Sequence, residues 1–191
     1  MKVIAFNGSP RKTGNTSVLI RTVLDELEKA GIETETIQLG GQPLQGCMAC
    51  MKCLKEKNQR CANNNDPMNE YIAKMIEADG IILGSPTYFA SVSTEIKALI
   101  DRAGYVSRVN GSLFKRKVGA AVVAMRRAGS INAFDTMNHL FTISEMIIPS
   151  ASYWNMGVGL KPGEVKDDQE GMATMRNLGE NMAWLLKKIH G

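Results

Sequence analysis

The sequence predicts an α/β protein with a doubly wound parallel sheet of five strands and helices on both faces. Two observations on the sequence support this. Short apolar runs alternate with longer segments of helical spacing along the 191 residues. Strands that alternate with helices of about 10–15 residues imply a parallel sheet with right-handed crossovers. The composition, 44% hydrophobic and 22% charged, is that of a folded chain. We therefore expect one domain spanning residues 1–191.

The first half of the chain contains two predicted strands, two helices and an unusual insertion between them. The apolar run at the start is a strand, and the β-branched second strand suits a sheet edge. Gly31 ends the first helix, because glycine is a common helix stop. Asp66 is a candidate cap and Pro67 a candidate first residue for the second helix. In order, the segments are strand 2–6, helix 17–30, strand 32–39, a cysteine-rich insertion at about 43–66, and helix 67–78.

The second half of the chain repeats the alternation of strand and helix. Its first strand ends in Gly-Ser-Pro, and its last one contains Pro149 near the start, where proline is tolerated. Ligands of such folds bind beyond the carboxyl ends of the strands. The loops at 7–16, 85–93 and 125–130 are therefore the expected site. The predicted elements are strand 80–84, helix 94–106, strand 117–125, helix 131–146, strand 147–154 and helix 167–189.

Charge and hydropathy exclude several classes of partner. The formal net charge is +4, but the basic residues form no run longer than three, so we expect no nucleic-acid partner. No apolar stretch approaches the ~20 residues of a membrane span. The start of the sequence lacks the apolar region of about 7–15 residues that a secretory signal needs. These features predict a soluble, cytoplasmic protein without a membrane partner.

The loop at 7–16 has the composition of an anion site. It lies between a strand and a helix, and a helix N-terminus offers free N–H groups and a positive dipole end. Ser9, Asn15 and Thr16 add side-chain donors, and Arg11 adds a cation. The loop matches neither a Walker loop nor a dinucleotide fingerprint. We expect it to bind a phosphate; a polar turn that only caps the helix is the alternative.

The other two loops could hold the ring of a ligand. Pro86 fixes a turn after the third strand, and Tyr88 and Phe89 place aromatic surface beside it. Backbone N–H groups there could bond the edge of a heteroaromatic ring. Two aromatics that merely enter the core are the alternative. The loop 125–130 offers Gly129 and two arginines, which could equally be solvated.

The four cysteines give the sharpest signal. Their spacing is Cys47-x2-Cys50-x2-Cys53-x7-Cys61, and the rest of the chain contains none. A disulfide scaffold would scatter its cysteines. Four thiolates within one short segment match the ligands of a [4Fe–4S] cluster. Zinc is the main rival, although its sites usually use two separated C-x2-C pairs.

These motifs together resemble the iron–sulfur flavoproteins, a flavodoxin-like group within the NADPH-dependent FMN reductase superfamily. The resemblance covers nearly the whole chain. It implies FMN as a cofactor beside the cluster, and a homodimer or homotetramer. By resemblance the phosphate contacts come from Ser9, Arg11, Asn15 and Thr16, with Ser17 a further candidate, and the ring contacts from Pro86, Thr87, Tyr88, Phe89 and Gly129.

The resemblance implies an electron-transfer oxidoreductase whose chemistry is carried by its cofactors, with no catalytic side chain. FMN exchanges two electrons and a cluster exchanges one, so the pair converts between the two kinds of transfer. The expected donor is ferredoxin or a similar carrier, and the expected acceptor is a small molecule. One alternative is an NAD(P)H-dependent FMN or quinone reductase with a labile or structural metal at the cysteines. Another is a zinc-bearing binding module without redox activity.

Overall fold

The computed structural model describes all 191 residues. Its centre is a parallel sheet of five strands in the order β2-β1-β3-β4-β5. The order reverses direction beside β1, which is the doubly wound topology that the alternation of elements predicts. The strands are β1 (Lys2–Asn7), β2 (Glu33–Gln38), β3 (Gly80–Pro86), β4 (Val118–Met125) and β5 (Met156–Val158).

Helices cover both faces of this sheet. A buried apolar core on one face includes residues of α1 and α6, and the core on the other face includes residues of α3, α4 and α5. The three central strands contribute to both cores because each is buried along nearly its whole length. The helices are α1 (Asn15–Lys29), α2 (Lys52–Glu56), α3 (Met68–Glu77), α4 (Thr94–Val109), α5 (Ser130–Ile143) and α6 (Gln169–His190), with a 3-10 helix at Glu164–Asp167.

The position of the last strand is the main correction to the sequence prediction. Residues 147–154 were expected to form it, but only Ile147 makes a single bridge, with Val118. The chain then leaves the sheet and returns at Asn155, whose carbonyl accepts the N–H of Val123 at 2.9 Å. The side-chain amide of Asn155 also donates to the carbonyl of Ala121 at 3.0 Å, one rung earlier. The strand therefore pairs three residues only, at Met156–Val158.

The other boundaries differ from the predictions by a few residues. The second strand lies at the sheet edge, as predicted, and is largely accessible along its length. The expected cap of α3 is realised in part: Asp66 accepts the N–H of Met68 at 3.3 Å, although the helix begins at Met68 rather than Pro67. None of the helices has the length and apolar character needed to cross a bilayer.

Candidate functional site

The sheet brings three loops together at its carboxyl edge. Asn7 at the end of β1 is paired with Gly84 in β3, and Pro86 at the end of β3 is paired with Ala124 in β4. The loops that follow these strands therefore start side by side. The three loops selected from the sequence share one rim of the molecule, next to the strand-order reversal where ligands of such folds bind.

The loop at 7–16 is held tightly by its neighbours. The N–H of Gly8 donates to the carbonyl of Gly84 at 2.7 Å. The side-chain amide of Gln38 donates to the carbonyl of Ser9 at 2.6 Å, so β2 pins the loop from the other side. A Cβ on Gly40 would overlap the backbone of Ser9, so only glycine allows this approach. The loop is thus shaped before any ligand arrives.

The N-terminus of α1 is open to an anion. Gly14 caps the helix without a side-chain hydrogen bond. The first backbone N–H of the helix with a partner is that of Val18, which donates to the carbonyl of Gly14 at 3.1 Å. The N–H groups of Asn15, Thr16 and Ser17 make no backbone hydrogen bond. Three donors thus meet at the positive end of the helix dipole, which fits a phosphate group.

The side chains chosen for phosphate contact are placed differently from one another. Ser9 and Thr16 are buried in the loop, whereas Arg11 is exposed at its mouth. The Ser9 hydroxyl accepts the N–H of Arg11 at 3.2 Å. Asn15 has a structural task that the sequence did not suggest: its amide donates to the carbonyl of Gly159 at 2.9 Å and accepts the N–H of Val165 at 3.3 Å. It therefore ties α1 to the chain beyond β5.

The loop after β3 contains an unpartnered polar atom. The N–H of Thr87 donates to the carbonyl of Ala124 at 2.9 Å, which fixes the loop against β4. Its hydroxyl oxygen is buried and has no hydrogen-bond partner within the chain. Such atoms are uncommon because an unsatisfied buried hydroxyl is destabilising. A bound ring with polar edge atoms would supply the missing partner, so the residues here fit a flavin.

The tip of this loop is a strained turn with an exposed aromatic ring. Tyr88 and Ser91 exchange two backbone hydrogen bonds of 2.9 Å around Phe89 and Ala90. Both central residues have left-handed φ angles, 46° and 60°, which side chains adopt only when the surroundings impose it. The side chain of Phe89 is fully exposed. The alternative that both aromatics enter the core is therefore wrong.

The third loop packs directly on this turn. Gly129 has φ +84°, and a Cβ there would lie 3.2 Å from the Cβ of Ala90. Arg126 and Arg127 are both exposed. Arg127 lines a groove of about 500 Å³ together with Trp154, which stacks at a tilt on Tyr153 at 5.1 Å between ring centroids. A basic and aromatic groove thus adjoins the loops that suit the flavin.

The four cysteines surround one small cavity of about 30 Å³. Cys47 and Cys50 are exposed, while Cys53 and Cys61 are half-buried and pack against the core. No disulfide joins them. No three acidic, histidine or cysteine side chains are arranged as a coordination group. The sulfur donors are therefore gathered at one place but are not in ligating geometry, and their chemistry suits a soft metal such as iron.

The backbone of this segment is unusual. Ala49 and Met51, the residues next to Cys50, both have left-handed φ angles, as do Lys57 and Gln59. Strained residues cluster at sites where the chain must hold a particular shape. In this segment the left-handed residues turn the backbone around the cavity that the cysteines line. The backbone therefore wraps the space that the four thiols line.

Burial affects the ionisation of the cysteine segment. Burial raises the pKa of the Cys53 thiol, and the neighbouring thiols of Cys61 and Cys50 raise it further. The backbone N–H of Leu54 acts in the opposite direction but does not outweigh burial. Burial thus favours the protonated thiol of Cys53, and a bound metal cation would favour its thiolate.

Arg102 contacts the cysteine segment and was not singled out in the sequence interpretation. It lies on the apolar side of α4, between Leu99 and Val106, and its side chain is wholly buried against Asp66. Burial acts to lower the pKa of Arg102, but its hydrogen bonds to Asp66 and Cys61 outweigh this and raise it. A charged residue in the apolar stripe of a helix was the available signal. It places a cation directly behind the cysteines.

Comparison with known proteins identifies the family. Residues 1–161 match the model of the NADPH-dependent FMN reductase family. An iron–sulfur flavoprotein of Methanocaldococcus jannaschii is 42% identical over 196 residues, covering 99% of each chain. An iron–sulfur flavoprotein of Methanosarcina thermophila is 31% identical and covers 99% of this chain and 97% of its own. Both matches extend through the cysteine segment.

Solved structures agree on the fold. RosB, determined with bound 8-demethyl-8-formylriboflavin-5'-phosphate, superposes with a TM-score of 0.75 at 18% identity, over 99% of this chain and 80% of its own. An archaeal flavodoxin superposes with a TM-score of 0.63 at 14% identity, over 98% and 99% of the two chains. The sheet is therefore flavodoxin-like. This chain belongs to the NADPH-dependent FMN reductase family, as an FMN-dependent oxidoreductase of the iron–sulfur flavoprotein group.

Proposed function

We propose that the protein transfers electrons between FMN and a [4Fe–4S] cluster held by Cys47, Cys50, Cys53 and Cys61. The observation that carries the proposal is the single cavity lined by all four cysteines. The names of the two relatives above support it. When bound, FMN exchanges two electrons and the cluster exchanges one. We also propose one flavin domain over residues 1–191, in which the cysteine segment at 43–66 is an insertion between β2 and α3.

The loops have separate tasks in this proposal. The N–H groups of Thr16 and Ser17 bind the FMN phosphate, and Ser9, Arg11 and Asn15 complete or support that pocket. The second loop receives the ring: Pro86 sets its path and the hydroxyl of Thr87 bonds the ring edge. The remaining ring contacts come from Tyr88, Phe89 and Gly129.

Metal and flavin analysis of anaerobically purified protein tests the proposal. We expect about four iron and four sulfide for each FMN, with an EPR signal after reduction. Cys50→Ala should lose iron and keep FMN, whereas Leu54→Ala, an exposed change in the same segment, should keep both. Bound zinc without FMN or iron would refute the proposal. Loss of FMN together with iron in Cys50→Ala would mean that the segment supports the fold.

The charge around the cysteines favours an acidic protein as electron donor. Residues 47–61 contain four cations and one carboxylate, and all of the cations are exposed. Met48 and Met51 are exposed between them. A basic rim around an apolar centre attracts an acidic carrier such as ferredoxin and speeds its approach. The cations are Lys52, Lys55, Lys57 and Arg60.

Charge reversal tests this donor. The double variant Lys52→Glu/Lys55→Glu should slow reduction by reduced ferredoxin at least tenfold at low salt, and the wild-type rate should fall as salt rises. Reversal of Lys187 and Lys188, exposed cations on α6, is the matched control and should leave the rate unchanged. Equal rates in both double variants would exclude the basic rim as the docking surface.

A second candidate donor is NADPH. The family model carries this name, and the groove beside Arg127 and Trp154 offers a cation and an aromatic face next to the flavin loops. Anaerobic stopped-flow mixing with NADPH decides between the donors. Rapid bleaching of the flavin absorbance would favour the reductase, with a labile or structural metal at the cysteines. Bleaching only by ferredoxin would favour the electron-transfer function.

We further propose that a small molecule is the electron acceptor and that the protein is a cytoplasmic homodimer or homotetramer. Phe89, Tyr153 and Trp154 expose aromatic surface around the flavin loops, which a second copy would cover. The cysteines carry no disulfide, which suits a reducing compartment. Sedimentation of the FMN-loaded protein measures its size, and a monomer would exclude the assembly.

A further inference from the structure

The buried guanidinium of Arg102 is connected almost entirely to the cysteine segment. Its Nε donates to the sulfur of Cys61 at 3.3 Å. One terminal nitrogen donates to the carbonyl of Gln45 at 3.0 Å and to the carboxylate of Asp66. The other donates to the carbonyl of Asn63 at 3.0 Å. One side chain of α4 therefore joins the start of the segment to its end.

Cys61 is held from a second direction as well. The side chain of Asn69 in α3 accepts the N–H of Cys61 at 2.8 Å and donates to its carbonyl at 2.9 Å. Asn69 thus fixes the backbone of this residue, while Arg102 contacts its sulfur. Of the four cysteines, Cys61 is the one whose backbone and sulfur are both held by buried side chains of the helical layer.

Stability alone does not explain a buried charge at this place. Taking a guanidinium and a carboxylate out of water costs several kcal/mol per ion, and well-packed apolar residues often replace such pairs without loss. The neighbouring positions on the same side of α4, Leu99 and Val106, are apolar and buried. A leucine or methionine at position 102 would continue that stripe. The cation makes a contact that no apolar side chain makes, the hydrogen bond to the thiol sulfur.

The effect of this contact on a metal ligand follows from electrostatics. An N–H donor withdraws electron density from a ligating thiolate, which favours the reduced state of the metal centre. The Asp66 carboxylate offsets the charge of Arg102, so the hydrogen bond to Cys61 carries the effect. Because the side chain of Arg102 is wholly buried, solvent screens this hydrogen bond only weakly.

We propose that Arg102 positions Cys61 as a ligand and raises the reduction potential of the metal centre. The proposal rests on the proposed function, in which these cysteines hold an iron–sulfur cluster. Arg102 acts through Cys61 and is a positioning residue. The electron that the centre accepts comes from the donor, and no bond at Arg102 forms or breaks.

Two variants and a control test the proposal by potentiometric EPR titration of the anaerobically purified, FMN-containing protein. Arg102→Lys keeps the charge and loses the fork of donors. Arg102→Gln/Asp66→Asn removes both charges together, so that no buried carboxylate is left unpaired. Arg108→Lys makes the same change at an exposed position of α4 and serves as the control. Iron, FMN and far-UV circular dichroism are measured on each sample.

We expect the double variant to lower the ratio of reduced to oxidised cluster about tenfold at a fixed potential, which is about 59 mV for a one-electron couple. Arg102→Lys should lower the reduction potential by less than the double variant, and Arg108→Lys should have the reduction potential of the wild type. Wild-type iron content with an unshifted potential in both Arg102 variants would overturn this inference alone. Joint loss of iron, FMN and helical signal would overturn it too, by showing that Arg102 holds the fold. A wild-type protein without iron would overturn the proposed function as well.

Discussion

Replacement of Thr87 by valine should change stability and FMN affinity in opposite directions. The hydroxyl of Thr87 is buried and has no partner within the chain. An unsatisfied buried polar group costs about 1–3 kcal/mol, whereas a methyl group of the same shape has no such cost. We therefore expect the unfolding free energy of the FMN-free protein to rise by about 1 kcal/mol. If the hydroxyl bonds the flavin, the variant loses about 1 kcal/mol of binding, which is about fivefold in Kd.

Two measurements on the same preparation check this prediction. Urea unfolding of the FMN-free protein gives the change in stability, and quenching of FMN fluorescence on titration gives Kd. Thr87→Ser is the matched control, because it keeps the hydroxyl and loses a methyl group. A destabilised Thr87→Val protein with unchanged Kd would refute the reasoning, because the hydroxyl would then serve the fold and not the ligand.

Three further predictions concern Gly40, Gly129 and Asp66. Gly40→Ala should weaken FMN binding at least about tenfold in a fluorescence titration, because its Cβ would overlap the backbone of Ser9. Gly46→Ala, which has open space around it, is the control and should keep the affinity. Equal affinities in the two variants would contradict the idea that Gly40 shapes the loop at 7–16 for FMN. In Gly129→Ala and Gly111→Ala the new alanine must adopt a left-handed φ, so each variant should lose about 1–2 kcal/mol of unfolding free energy in urea. Only Gly129 packs on Ala90 in the loop after β3, so only Gly129→Ala should also bind FMN more weakly. Although burial acts to raise the pKa of Asp66, its hydrogen bonds, chiefly from Arg102, lower it below the ordinary value of 3.8, so the folded protein takes up this proton at lower pH than the unfolded chain. The Asp66–Arg102 pair therefore adds to the unfolding free energy above the ordinary pKa of Asp66, and this contribution is lost as pH falls through the pKa of the folded state. In Asp66→Asn the unfolding free energy measured in urea should fall less steeply between about pH 5 and pH 2. An unchanged pH dependence would contradict this prediction.

Much of the fold was predictable because it depends on local pattern. The central strands are buried on both faces, so they read as continuous apolar runs. The last strand was misplaced because residues 147–154 have the same β-branched and aromatic character as a strand. Pairing there depends on Asn155, whose side chain and backbone bond β4. Such a contact across 34 residues leaves no local pattern.

The candidate site likewise contains parts that the sequence predicts and parts that only the structure shows. Loop composition and cysteine spacing selected the loops at 7–16 and 85–93 and the four thiols, because each is a contiguous motif. The task of Asn15 and the role of Arg102 were not visible, because their partners lie far along the chain. Gly159 is 144 residues from Asn15, and Cys61 is 41 residues from Arg102. Only folding reveals which distant groups a side chain meets.

The sequence by itself determined the doubly wound class, the three loops and the gathering of thiols within one segment, because hydrophobic period, turn residues and ligand spacing are local properties of the chain. The tertiary structure alone decided that the hydroxyl of Thr87 is left without a partner and that a buried arginine stands behind Cys61. Both depend on packing, because burial excludes water as a hydrogen-bond partner and a buried polar group can bond only the groups that the fold places beside it.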